Sequence, residues 1–161
     1  MWHHYLIALR PNGPPDLRLL RRPGRAVGLL PVTAATHPAT GSVAVVYGRF
    51  FYTRQQDASP AVIALAAFRT NGEKGLEALE GEFSAVVWDA RTRALVGLRD
   101  PLGGGPRFWW SHPAGCGFST DLRAARAAAG TVGVDREYLA DFLAHTFGPG
   151  SPRPSGPRHL G

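Results

Sequence analysis

One cysteine, Cys116, stands in 161 residues. A single thiol excludes a disulfide framework within the chain and a thiolate zinc cluster held by one copy, and it fits a reducing, cytoplasmic setting. Lysine is equally scarce: Lys74 is the only one, so the net charge of +6 is carried by arginine. A bias of that kind reflects coding composition before it reflects a partner. The cluster of Arg18, Arg21, Arg22 and Arg25 lacks the interleaved aromatics of an RNA-binding segment and reads as a solvated face, which disfavours nucleic acid as a partner. Apolar runs of roughly eighteen residues are missing, as is a leader with a basic start, an apolar core and a small-residue cleavage site; no membrane span and no export by that route are expected. The chain also lacks a GxxxxGK[ST] loop, and GLRDPLGGGP does not open a helix, so no nucleotide cofactor is expected. No metal site is expected either.

What is present suits a globular chain. Hydrophobic residues make up 44% and charged residues 19%, enough for a core and too apolar for intrinsic disorder. WHHYLIALR reads as a strand ended by PNGPP, followed by LRLL and AVGLLPV as two short strands divided by RRPGR, a β-meander. His3 and His4 alternate faces there as ordinary strand residues. After THPATGS, VAVVYGRFFY is rich in Val and aromatics and long enough for a central strand, with Gly48 as a bulge or a point of close approach.

Helix signals come next. Ser59 caps a helix with Pro60 at its first position, AVIALAAFRT supplies its apolar face, and Asn71-Gly72 stops it. EKGLEALEG reads as a second short helix closing at Gly81. FSAVVWD and ALVGLRD then form a hairpin with Asp89 and Arg93 near its tip. RFWW pairs back, HPAGCG turns with Cys116 inside the turn, and FST follows. Asp121 caps LRAARAAAG and Asp135 caps REYLADFLAH, so Ser119-Thr120-Asp121 is a helix cap and not a catalytic triad fragment. Strand groups followed by helices give an α+β fold. Residues 1–147 form the domain, and 148–161, GPGSPRPSGPRHLG, is a Pro/Gly-rich tail expected to be flexible unless a partner orders it.

The run GLEALEGEFSAVVWDARTRALVGLRDPLGGGPRFWW resembles the core of the class II glutamine amidotransferase domain found in asparagine synthetases, β-lactam synthetases and lasso-peptide cyclases. The resemblance rests on Leu79, Gly81, Phe83, Trp88-Asp89, Arg99-Asp100, Leu102-Gly103, Pro106 and Phe108-Trp109, and extends more weakly over residues 42 to 145. It implies a four-layer αββα sandwich of the N-terminal-nucleophile type, with two mainly antiparallel sheets. Trp2 is then expected to point into the cleft, and Trp88 to be buried beside Phe83.

Active members of that group begin, after removal of Met, with a Cys whose own α-amino group activates its thiol. Trp2 stands at that position here. An Asn-Gly-Glu step that holds the substrate corresponds to Tyr47-Gly48-Arg49, and a Ser-Asp step corresponds to Ser59-Pro60. With those acceptors gone, a glutamine α-ammonium is left unpaired, a loss of several kcal/mol in a closed pocket. The resemblance therefore implies no catalytic residue and a pseudoenzyme, with Trp2, Tyr47, Arg49 and Arg99 as binding candidates; Arg99-Asp100 also reads as a structural anchor, and Trp109-Trp110 as core and sheet edge. No SGGxDS pyrophosphate loop occurs, so adenylation is not expected on this chain. The leading expectation is an inactive glutaminase-like domain that docks an ATP-dependent amide-forming synthetase in trans, or a second copy of itself, in peptide or natural-product biosynthesis, with a precursor peptide as a further candidate partner. The alternatives are an enzyme with a new activity in the same cleft, and a peptide- or nucleic-acid-binding module using the arginines.

Overall fold

The computed structural model describes residues 4–11, 13–20, 30–51, 57–103, 107–113, 115–130 and 136. Trp2, His3, the arginines at 21, 22 and 25, the run 26–29, all but Arg136 of the helix expected after Asp135 and the tail from 148 lie outside the described residues. Among the described residues, eight strands form two antiparallel four-stranded sheets. The first has the order β2-β1-β8-β7, from β1 (His4–Leu9), β2 (Pro15–Leu20), β7 (Phe108–His112) and β8 (Gly115–Ser119). The second is β3-β4-β5-β6, from β3 (Val32–Thr36), β4 (Val43–Phe50), β5 (Gly81–Asp89) and β6 (Ala94–Arg99). This is the expected α+β sandwich of two sheets.

Among the described residues the first three strands do not form a meander. β1 and β2 pair antiparallel, but β3 joins the other sheet, beside β4. It also begins at Val32, so Leu30 and Pro31 precede it. Alternation of apolar and polar residues is the same in either sheet, so the local pattern does not reveal which partner a strand takes.

Strand parity then builds three apolar layers. Tyr5 and Ile7 from one sheet meet Val45, Tyr47, Val86 and Trp88 from the other, which fills the space between the sheets. The opposite face of the second sheet, with Ala44, Val46, Phe83, Ala85 and Val87, is covered by Ala61, Ala64 and Leu65 of helix α1 (Pro60–Asn71) and by Leu76 of α2 (Glu73–Glu77). The outer face of the first sheet packs Leu6 and Trp110 against Ala125 of α3 (Leu122–Ala129). Phe83 and Trp88 are both buried but on opposite faces of β5: five residues apart along a strand, they have opposite parity. Phe83 instead meets Phe50 edge to face at 4.8 Å.

Caps fall where the sequence places them. The Ser59 side chain accepts from the Val62 amide with Pro60 at the first helical position, and Gly72, at φ 61°, ends α1. The second helix is shorter than expected and stops at Glu77. Asp121 accepts from the Ala124 amide at the head of α3. The Gly48 question resolves as close approach: pairing of β4 with β5 runs through it without a break, at φ 119°, and an added Cβ would strike the Glu82 carbonyl. No helix among the described residues is long and apolar enough to cross a membrane.

Candidate functional site

The layer between the sheets changes character along the strands. On the second sheet the inward rows are Val43, Trp88 and Leu95, then Val45, Val86 and Gly97, and then Tyr47, Ser84 and Arg99. On the first sheet they run from Leu9 and Cys116, through Leu17, Ile7, Phe118 and Trp109, to Leu19, Tyr5 and Thr120. Gly97 allows the middle rows to interlock, since a Cβ there would lie 2.7 Å from the Phe118 ring. The last row on each sheet brings in polar groups, Ser84 and Arg99 on one and the Tyr5 hydroxyl and Thr120 on the other, and the two meet at one end of the sandwich.

Their junction is a hydrogen bond between the hydroxyls of Tyr5 and Ser84, 3.1 Å apart and wholly buried. Burial pushes the Tyr5 phenol up to about 12, against the opposing pull of the Ser84 hydrogen bond and the Arg107 charge. Thr120 fixes the Tyr5 backbone from both sides: its Oγ1 accepts from the Tyr5 amide at 3.0 Å, and its own amide donates to the Tyr5 carbonyl at 3.1 Å. Ser119 also donates to that carbonyl, at 2.7 Å. Ser119 and Thr120 thus hold strand β1 in place, while the helix cap expected for this step is made by Asp121.

Arg107, one residue ahead of β7, extends the row of Tyr5 and Thr120. Its guanidinium lies 5.9 Å above the Phe118 ring and its Nη1 is buried without a hydrogen-bond partner. Burial, and then the neighbouring Arg99 charge, pull it below the ordinary guanidinium range, opposed by the interaction with Tyr5. Arg99 is exposed and lies over Gly103, where a Cβ would come within 3.2 Å of Cζ.

Two of the sequence candidates, Tyr47 and Arg99, thus share one row, with Ser84 between them. Tyr47 is 5% exposed and part of the apolar layer. Arg49 lies beyond them on β4, where it pairs with Glu82 at 3.6 Å and covers the Phe51 ring at 5.7 Å. The position of Trp2 lies outside the described residues. Asp100 has the structural role read from the sequence: its carboxylate accepts from the Phe83 amide at 3.2 Å and its amide donates to the Phe83 carbonyl at 3.1 Å, closing the end of the β5–β6 hairpin. Trp110 is buried against α3 and β7 is an edge strand, in agreement with core and sheet edge. Cys116 is not in a turn but in β8, opposite Leu9 and Ser111, and burial pushes its thiol up.

Sequence reasoning missed Tyr5, Ser84 and Arg107. Parity offered a signal: Tyr5 is in phase with Ile7 and Arg107 with Trp109, so each is a polar group on an otherwise apolar inward face.

With this geometry the comparisons with known proteins agree. A glutamine amidotransferase domain family matches residues 52–154, more than half of the chain, and the chain belongs to that family. It is similar to asparagine synthetase [glutamine-hydrolyzing] 1 of Bacillus subtilis (strain 168), at 26% identity over 98 residues. That alignment covers 61% of this chain and 15% of the relative, so the chain spans only a small part of the length of the curated relative.

Proposed function

We propose that this glutamine amidotransferase domain does not hydrolyse glutamine and serves as a structural or docking partner of an ATP-dependent amide-forming synthetase, asparagine synthetase-like and working in peptide or natural-product biosynthesis. The residue set at the polar end of the sandwich carries the reading. A glutamine α-ammonium needs acceptors, and the positions where the family resemblance expects them hold a buried phenol at Tyr47, a cation at Arg49 that engages Glu82, and the helix-heading Pro60. Arginine in place of an acceptor repels the ammonium, and proline offers it nothing.

The thiol needed for thioester chemistry is also misplaced. Cys116, the only cysteine of the chain, lies in β8 four residues before Thr120, toward the apolar end, and a thiol held protonated by burial is a poor nucleophile. A fold that keeps its sheets while its substrate ligands are replaced keeps its shape for a contact. The surfaces we assign to that contact are the rim carrying Arg49, next to the buried Tyr47, and the stretch 148–161, and the partner is a synthetase-type protein in trans or a second copy of the chain.

The test has two arms. Purified protein should release no glutamate from glutamine, and release that is abolished by Arg49→Glu or Tyr47→Ala would overturn the inactive reading. Co-purification with the products of neighbouring genes should give a complex that Arg49→Glu or deletion of residues 148–161 weakens. A chain that remains monomeric and captures none of them would end the docking reading and favour a small-molecule activity in the cleft.

A further inference from the structure

We propose that the polar end of the sandwich binds a small carboxylate of net negative charge, held between Arg107 and Arg99 above the Tyr5–Ser84 hydroxyl pair. The inference starts from a cost that the protein alone leaves unmet. A guanidinium stays charged at any ordinary pH, and a buried N–H of a charged group without an acceptor is among the more expensive features a fold retains. Arg107 has such a group in its Nη1. The Phe118 ring beneath it interacts with the face of the guanidinium, which leaves the N–H edge still in need of an acceptor.

A second cation raises the cost. Arg99 is close enough for its charge to act on Arg107, and among the described residues neither arginine forms an ion pair. The carboxylates nearest in sequence are engaged: Glu82 pairs with Arg49, and Asp100 accepts from the Phe83 amide. Two like charges at one end of a layer, one of them half-buried, define a place that an anion stabilises. A planar carboxylate suits the fork of N–H donors on a guanidinium. The excess of positive charge disfavours a zwitterion, whose ammonium would be repelled, and so favours a dicarboxylate over an amino acid such as glutamine.

This site stands apart from the docking reading, because anion binding and partner capture are measured separately. Calorimetric titration of the full chain at low ionic strength, with succinate, inorganic phosphate and glutamine in parallel cells, tests it. Succinate should give saturable binding and raise the thermal midpoint, phosphate should bind more weakly, and glutamine should not bind. Loss of a charge-assisted pair in Arg107→Leu should weaken succinate about tenfold or more, with Arg107→Lys restoring part of it. Arg99→Gln, a change of an exposed side chain, should weaken it several-fold and serves where the Leu variant fails to fold. Arg18→Gln, on β2 and hydrogen-bonded to Asp16, should change nothing. Absence of saturable succinate binding, or equal affinity in wild type, Arg107→Leu and Arg99→Gln, would overturn the site. Tighter binding of phosphate would overturn the carboxylate assignment, and tight binding of glutamine the requirement for net negative charge.

Discussion

The two ends of the inter-sheet layer are built on the same strands, four residues apart, and follow different rules. At one end Leu9, Trp88 and Leu95 pack with their apolar neighbours, and everything there is explained by area removed from water. At the other, Tyr5, Ser84, Arg99 and Arg107 bring hydroxyls and cations into a partly buried setting, where one donor has no acceptor and one phenol resists ionisation. The buried, unpaired Arg107 donor in the second arrangement costs the fold stability and adds none. The difference separates what holds the sandwich together from what it presents to a ligand or a partner.

The apolar end is where truncation should cost most. Trp88 is 4% exposed and touches both sheets' side chains. Trp88→Ala should destabilise the protein by about 3 to 5 kcal/mol, through lost transfer energy and the cavity left behind. That is a large part of the stability of an ordinary domain. Chemical denaturation followed by circular dichroism measures it, and a loss below about 1 kcal/mol would mean that the apolar end does not anchor the sandwich.

The polar end should instead respond to pH. Tyr5 is held at about 12 in the folded state against an ordinary value of 10.0. Between those two values the unfolded chain gives up the phenolic proton while the folded chain keeps it, so stability falls as pH rises through that window. The loss integrates to about 2 to 3 kcal/mol, fully present only above the folded value, and it is negligible a unit or more below the unfolded value. Denaturant midpoints taken from pH 9 to 12 should show this slope, and Tyr5→Phe should lack it. An identical slope in the variant would mean that the phenol is not the group being titrated.

The same contrast governs how far the sequence could be read. Ser59-Pro60, Asn71-Gly72, Asp121 and the β5–β6 hairpin were legible because caps and short turns are decided within a few residues, by local hydrogen bonds and backbone freedom. The switch of β3 to the second sheet and the strand position of Cys116 were not, since pairing is decided by distant strands. Phe83 and Trp88 show the intermediate case: both were recognisable as core, but parity sends them to different layers. Tyr47 and Arg99 were found through family resemblance. Arg107 is placed by the register alone, which shows Trp109, two residues on, paired with the inward-facing Phe118.

The smallest effect is expected at the rim, where Arg49 and Glu82 meet at 3.6 Å with their side chains 63% and 40% exposed. Water screens such a pair and both side chains lose freedom in forming it, so its net contribution to stability is about 0 to 1 kcal/mol. Glu82→Gln should therefore leave the denaturation midpoint nearly unchanged, most visibly so at 0.5 M salt, where the Debye length is well below 10 Å. Its effect should be felt in recognition instead, because it frees a cation at the mouth of the polar end and adds to the positive field around Arg99. Succinate affinity should rise slightly in Glu82→Gln at low salt, and the gain should vanish as salt is added. A stability loss of several kcal/mol in this variant would place Glu82 among the residues that hold the fold together, and would move the boundary between the two ends inward from the rim.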